Sequence, residues 1–332
     1  MIFKILSLSE IDVNQWNNLN KTDYTQSIEY IKYISSKTVI PKFFLICNNN
    51  NNYLGGWAGV HIIYNRSNLF SYLKLYGSPQ LLAVEDNSKI IDTLWKRIIT
   101  FCESQKIVYI DNYDMIFNRN CDNDFFKKKF DIYHKYNTYK INLRQSLDQI
   151  WSNISKTVKQ DIKFSESCNI YIKEELNPQA FFELSKETYQ RSNKKGRALT
   201  NIIQETNYFS QYNMMTMYFA KQDLNYLASA QIVIYGGVAY YYSGGSKSDL
   251  PRGAAKQLHW NIIKILKEKG LSYYDMTGGP YINDKKSKSI QEFKRKFGGY
   301  ELICYGGIKI YSSFKYNLFK IIMLLRNTIT RK

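Results

Sequence analysis

The amino-acid sequence predicts an α/β protein of two domains with mixed sheets, and three observations carry that prediction. One succession of elements, β, β, β, α, β, is written twice. The 332 residues exceed the size at which a single core keeps growing, and a hydrophobic share of 44% is that of a globular chain. The spacing repeats too: Trp95 stands 16 residues before Asp111 and Trp260 stands 15 before Asp275.

In the first copy the apolar run Lys42 to Cys47 reads as a strand, Asn48 to Asn52 as a hairpin loop, and Leu54 to Tyr64 as the returning strand. A third strand, from Ser71 toward Pro79, leads to a helix bearing Trp95, Ile98, Ile99 and Cys102. The strand Ile107 to Ile110 then ends at Asp111. The second copy runs Met217 to Ala220, Leu227 to Tyr235 and Val238 to Ser243, followed by a helix with Leu258, Ile262, Ile265 and Leu266. Its last strand, Leu271 to Tyr274, ends at Asp275. Between the copies, Leu147 to Cys168 reads as one helix capped by Ser146, with Ile150, Ile154, Val158 and Ile162 on one stripe. Pro178 opens another, reaching Arg191. The segment Arg191 to Arg197 is too polar and basic for a core element; it reads as an exposed loop, either an anion contact or plain solvated surface.

The net charge of +18 favours polyanionic partners: nucleic acid, anionic lipid headgroups or pyrophosphate-linked substrates. The excess concentrates late. Ile282 to Gly299 holds six basic residues against Asp284 and Glu292, and Leu302 to Lys332 holds six more and no acid. In that tail Phe314, Leu318, Ile322, Leu325 and Ile329 recur at helical spacing, with Lys315, Lys320 and Arg326 between them. Two readings stay open: a basic amphipathic helix lying on an anionic membrane, or a helix packing its apolar stripe on the body of the protein.

Five scattered cysteines (Cys47, Cys102, Cys121, Cys168, Cys304) without CxxC spacing argue against a disulfide framework or a zinc site, and point to a reducing compartment. Met1 to Leu8 meets Glu10 and Asp12 before any cleavage-like site, and no apolar stretch approaches the ~20 residues of a membrane span. The expected location is the cytoplasm, with peripheral contact at the inner face of an anionic membrane allowed by the tail. His61, His134 and His259 lack metal-ligand spacing and read as structural or surface residues. No GxSxG elbow is present, so hydrolase and metalloenzyme chemistry rank low.

Two motifs in the second copy carry chemistry. Ser243-Gly244-Gly245-Ser246-Lys247-Ser248 ends a strand, and Pro251-Arg252-Gly253-Ala254-Ala255 opens a helix, so backbone N–H groups and a positive helix end converge as a phosphate requires. Neither GxxxxGK[ST] nor GxGxxG occurs. Phe293-Lys294-Arg295-Lys296-Phe297-Gly298-Gly299 has two readings: a lysine held between aromatic anchors that presents a fixed cation to a developing oxyanion, or a solvated helix end.

The run YYYSGGSK, PRGAAKQLHW, YYDMTGG and FKRKFGG, from Tyr240 to Gly299, resembles the second domain of the FemABX aminoacyltransferases and their GNAT-like relatives of the BioF2 type. Gln26-Ser27-Ile28-Glu29-Tyr30 is similar to that family's QSxxW segment, Trp151 to Lys163 to its basic inter-domain helix, and Thr188 to Arg191 to its TxxR stretch. The resemblance covers nearly the whole chain and implies two tandem GNAT-like domains. These are 1–144, with the tail 307–332 returning to it, and 145–306, which carries the transferase motifs. The implied activity is transfer of an acyl or aminoacyl group to an amine of a peptidoglycan or other cell-envelope glycan precursor bearing a pyrophosphate. The donor is aminoacyl-tRNA or acyl-CoA, and no cofactor is tightly bound.

The resemblance implies site residues as well. Lys294 contacts the activated acyl end with Phe293 beside it, and Asp111 assists deprotonation of the amine, although Asn112 stands where proline commonly follows. Arg191 falls at a position associated with acceptor phosphates; Lys32 and Lys37 flank the place of another acceptor lysine. Gly244, Gly245, Arg252 and Gly253 complete the substrate-binding set. Gly253 and Ala255 match the end of the GNAT pyrophosphate loop, [QR]xxGx[GA], but Leu250 occupies its first position. No coiled-coil arm is inserted. The alternatives are an acyl-CoA-dependent N-acyltransferase acting on an amino sugar of a surface polysaccharide, and a basic nucleic-acid- or membrane-binding protein without activity.

Overall fold

Runs in which every residue is apolar become strands buried on both faces. Phe44 and Ile46 turn to one core, with Trp57, Trp95 and Ile98, while Phe43, Leu45 and Cys47 turn to another, with Trp16 and Ile31. Helices on both sides of a sheet follow from that alternation. The computed structural model describes residues 1–64, 70–82, 87–114, 121–280 and 285–329. It divides into two compact units, residues 1–136 with 304–332, and residues 137–303. The junctions lie inside strands, whereas the sequence placed them at 144/145 and 306/307. A strand whose two ends serve different cores shows no break in its hydrophobic pattern.

The first unit contains β1 (Ile2–Leu6), α1 (Val13–Leu19), α2 (Ile28–Ile34), β2 (Val39–Cys47), β3 (Tyr53–Ile63), β4 (Ser71–Tyr76) and β5 (Gln80–Leu81). There follow α3 (Asn87–Ser104), β6 (Tyr109–Asp114), α4 (Asn123–Lys129) and the start of β7 (Ile132–Asn142). The second unit continues β7 and adds α5 (Leu147–Asn153), α6 (Lys156–Ser167), β8 (Tyr171–Glu174), α7 (Pro178–Gln190), α8 (Leu199–Ser210), β9 (Met215–Gln222) and β10 (Asn225–Tyr235). It closes with β11 (Val238–Ser246), α9 (Ala254–Glu268), β12 (Tyr273–Pro280), α10 (Lys285–Arg295) and the start of β13 (Tyr300–Ile310). The rest of β13 and α11 (Ser313–Ile329) belong to the first unit.

The duplicated succession is present as β2-β3-β4-α3-β6 and as β9-β10-β11-α9-β12. In each, two antiparallel pairs are followed by a parallel pair, β4/β6 or β11/β12. The parallel pairs differ in one respect. In the first unit the register runs from Tyr72↔Tyr109 through Lys74↔Asp111 to Tyr76↔Asp114, with a bulge before the last pair. In the second it covers only Val238↔Tyr273, Ala239↔Tyr274 and Tyr240↔Asp275, although the strands continue to Ser246 and Pro280.

Residues 147–168 form two helices, not the single one expected. Ile154 is extended and Ser155 caps α6, its side chain accepting from the Val158 amide. The Ser155 amide donates to the Lys296 carbonyl at 2.9 Å, a partner that no helix interior would leave available. Ile150, Ile154, Val158 and Ile162 nevertheless all enter the core against α9 and the sheet.

Candidate active site

Past Tyr240 and Asp275 the strands β11 and β12 part, and the Lys294 side chain occupies the opening. Its Nζ donates to the Thr277 carbonyl at 3.2 Å and lies 5.5 Å from the centre of the Tyr241 ring. Thr277 substitutes for the missing ladder. Its hydroxyl donates to the Tyr241 carbonyl at 2.8 Å, and its own amide turns away to the Asp275 carboxylate, also at 2.8 Å. To do this Thr277 takes a φ of 54°, a strained conformation for a β-branched residue that costs about 1–3 kcal/mol. Asp275, fully buried, also accepts a short hydrogen bond from the Thr138 hydroxyl.

Lys294 is carried by α10 and is 6% exposed. Burial pulls its ammonium down to about 8, with Asp275 opposing the shift. At pH 7 it is thus still charged, by about ten to one. Around it lie Phe293, Phe297, Tyr241 and His259, with ring centroids of His259 5.6 Å from Phe293 and 4.7 Å from Tyr241. Burial and the Lys294 charge hold His259 down at about 3, and its Nδ1 lies 2.9 Å from the Tyr274 hydroxyl. A neutral imidazole and three aromatic rings leave Lys294 the single cation of this cluster among the described residues. Such a group, fixed and poorly solvated, stabilises a negative oxygen far better than a solvated lysine does.

The glycine pair lies elsewhere than the sequence implied. Gly244 and Gly245 are within β11, paired with Ala230 and Ser229, and form no phosphate-cradling turn. What requires glycine is proximity: a Cβ on Gly245 would come within 2.4 Å of the Leu184 and Ser185 backbone in α7. Gly253 caps α9 at φ 84°, with the Asp161 carbonyl 1.9 Å from where its Cβ would be. The Asp161 carboxylate accepts from Arg252 Nε at 2.7 Å and from Lys256 Nζ, and both cations hold its carboxyl below the usual range against the opposing effect of burial.

Arg191 clips α7 to the end of β11, donating to the Ser246 carbonyl at 2.9 Å, the Ser246 hydroxyl at 3.0 Å and the Thr188 hydroxyl at 3.1 Å. Arg197, expected on an exposed loop, is instead a bridge. It pairs with Glu205, donates to Gln231 at 2.7 Å and lies 5.2 Å from the Tyr242 ring. Loop composition hid this, because its partners come from α8 and β10.

In the first unit Asp111 lines a cavity of about 640 Å³ with Lys74, His134, Ile132, Ile308, Tyr316 and Lys320. Four of these come from the strands β4, β7 and β13, and two from α11. Asn112, the departure from the family's proline, is fully buried and donates to the Leu75 and Gly77 carbonyls at 3.1 and 3.0 Å. Lys32 and Lys37 are exposed, on α2 and in the turn before β2. Gln26 of the QSIEY segment is buried, donating to Asp23 and the Ser78 carbonyl and accepting from the Ala58 amide; Ser27 caps α2.

Sequence reasoning missed Thr277, Asp275 and Tyr241 around Lys294, and Lys74, His134 and Lys320 around Asp111. The repeat offered one signal: Asp275 was marked as the counterpart of Asp111. Among the described residues no group of three or more His, Cys, Asp or Glu could hold a metal ion.

Residues 179–295 match the family model of the acetyltransferase (GNAT) domain, a stretch that ends one residue past Lys294. A FemX crystal structure superposes with a TM-score of 0.71 at 12% identity, covering 97% of this chain and 100% of that one. The chain has the FemX-type tandem GNAT fold. A tandem GNAT protein from the clavulanic acid biosynthesis pathway superposes at 0.53 with 9% identity, over 94% of this chain and 98% of that one. The C-terminal domain of a putative lysylphosphatidylglycerol synthetase from Agrobacterium fabrum gives 0.55 at 13%, over 96% and 98%. No curated protein matches the sequence. The resemblance read from Tyr240 to Gly299 thus agrees with both a domain-level sequence match and the fold of the whole chain.

Proposed function

We propose that this protein is an acyltransferase that moves an aminoacyl group from tRNA to an amine of a pyrophosphate-linked cell-envelope glycan or peptidoglycan precursor. The observation that carries the reading is the Lys294 ammonium, held by the Thr277 carbonyl where β11 and β12 part. An activated ester needs alignment with the amine and a partner for the tetrahedral oxyanion, and little else. The amine attacks the carbonyl carbon, the oxyanion takes a hydrogen bond from Lys294, and collapse expels the ribose hydroxyl as the amine proton leaves.

The arrangement at the start of α9 favours an ester on tRNA over a coenzyme A thioester. A coenzyme A pyrophosphate seated there would meet the Asp161 carboxylate, which Arg252 and Lys256 already neutralise. The match to an acetyltransferase domain favours the second reading, acyl-CoA-dependent N-acylation of an amino sugar. The buried lysine, the strained Thr277 and the domain match together favour an enzyme over a basic binding protein without activity.

The test offers purified protein a labelled aminoacyl-tRNA pool or labelled acetyl-CoA, each with a pyrophosphate-linked muropeptide precursor or an amino-sugar acceptor. Base-stable amide label from tRNA, absent with Lys294→Ala, is the expected result. Label from acetyl-CoA alone would move the assignment to the second reading, and no label from either donor would remove the first two.

A further inference from the structure

We infer that α11 docks the protein on an anionic lipid surface, through a face that points away from the body of its own unit. The packed side of this helix is aromatic. Tyr316 is buried against Tyr109, with ring centroids 5.2 Å apart, and Phe319 meets Tyr64 at 5.3 Å and Tyr72 at 6.0 Å. With that side engaged, the opposite side is left to solvent. Phe314 is 78% exposed, Ile321 53%, Leu325 59% and Leu318 36%, at positions i, i+7, i+11 and i+4 of one narrow stripe. Of the stripe read from the sequence, Phe314, Leu318 and Leu325 thus face outward and Ile322 is half-buried; the side chains of Ile329 and Arg326 lie outside the described residues.

Large apolar side chains gathered on one exposed face call for an occupant, and charge selects which. At about 100° per residue, Lys315 and Lys320 fall on opposite flanks of the stripe. The chain from Leu302 onward contains no acid at all. A second copy docked on this face would set like charges against like, whereas a bilayer bearing phosphatidylglycerol offers acyl chains to the stripe and phosphates to both flanks. The helix is one of 17 residues, and among the described residues no helix is long and apolar enough to cross a membrane, so α11 lies in the plane of the interface. Tyr316 of the packed side and Lys320 of one flank also line the Asp111 cavity.

The experiment is vesicle co-sedimentation of the full chain, with phosphatidylcholine vesicles with and without phosphatidylglycerol, at low and high salt. The protein is expected to bind the anionic vesicles and to be released by salt. Lys315→Gln should weaken binding about fivefold. The combined Phe314→Ser, Ile321→Ser and Leu325→Ser variant should weaken it at least tenfold with its melting temperature unchanged. Phe314→Ser alone, at the most exposed position, serves should the triple variant fold poorly. No binding by the parent, or equal binding by the serine variants, overturns the proposal. So does concentration-dependent self-association of the parent in sedimentation velocity that the serine variants abolish, which would assign the stripe to a second copy. None of these readouts depends on transferase activity, so the proposal and the functional reading fail separately.

Discussion

The two parallel seams, β4/β6 and β11/β12, occupy the same place in the two copies and have opposite fates. In the first unit the bulge, the late pair Tyr76↔Asp114 and the Asn112 amide bonded to two carbonyls of the β4 end keep the strands together. In the second the ladder stops at Tyr240↔Asp275, and a threonine hydroxyl and a lysine take up the carbonyls that a neighbouring strand would otherwise satisfy. One seam is closed with a neutral amide whose bonds are ordinary. The other is held open by a strained residue and a buried cation, both of which oppose folding. The open seam thus carries a strain and a buried charge that the closed seam does not, and such costs are characteristic of places where a structure serves something besides its own stability.

The sharpest way to break this contrast is Lys294→Ala. Turnover should fall by at least ~100-fold with the fold intact by circular dichroism. An unaltered rate with cognate substrates would take the open seam out of the chemistry.

Stability should move the other way. The folded-state pKa of Lys294, about 8, lies below its ordinary 10.5, so between those values the unfolded chain binds more protons and stability rises with pH. Below pH 8 the full penalty is present. Lys294→Met should therefore stabilise the protein at pH 7 by on the order of 2–3 kcal/mol, with the gain vanishing toward pH 10.5. Chemical denaturation across that range checks it, and a loss of stability at pH 7 would show that the lysine supports the fold.

At the closed seam the sign is reversed. Asn112→Ala removes both bonds to the β4 end and leaves two buried carbonyls unsatisfied, which should cost about 1–3 kcal/mol at every pH in the same denaturation series. A neutral effect would mean that the bulged ladder closes the seam unaided. The smallest expected signal is in the pH profile. If Lys294 acts as a cation, kcat/KM should decline above about pH 8, and a profile that instead rises through that value would make the lysine a base.

Much of the fold was legible because its signals are local. The run Phe43 to Cys47, the Asn48 to Asn52 loop and the stripe Leu258, Ile262, Ile265, Leu266 each declare their element within a dozen residues. The failures share a cause. Ser155 breaks a continuous helical stripe because the Lys296 carbonyl, from a distant loop, takes its amide. Gly244 and Gly245 looked like a turn, but the α7 backbone is what demands them. In the candidate site Lys294 and Phe293 were readable from an unusual local pattern, whereas Thr277 carries no mark in sequence of its left-handed backbone. The cavity at Asp111 draws on residues separated by most of the chain.

The division of the chain has a consequence for its biosynthesis. Residues 137–303 form a unit contiguous in sequence, while the first unit needs β13, whose Gly307 to Ile310 pair with Asn112 to Tyr109. A ribosome therefore delivers the later unit complete before it delivers the last strand of the earlier one. Until then β6 waits with an unpaired edge, in a nascent polypeptide exposed to mispairing and to chaperones. Truncation after residue 303 should leave a folded second unit tethered to an aggregation-prone first one.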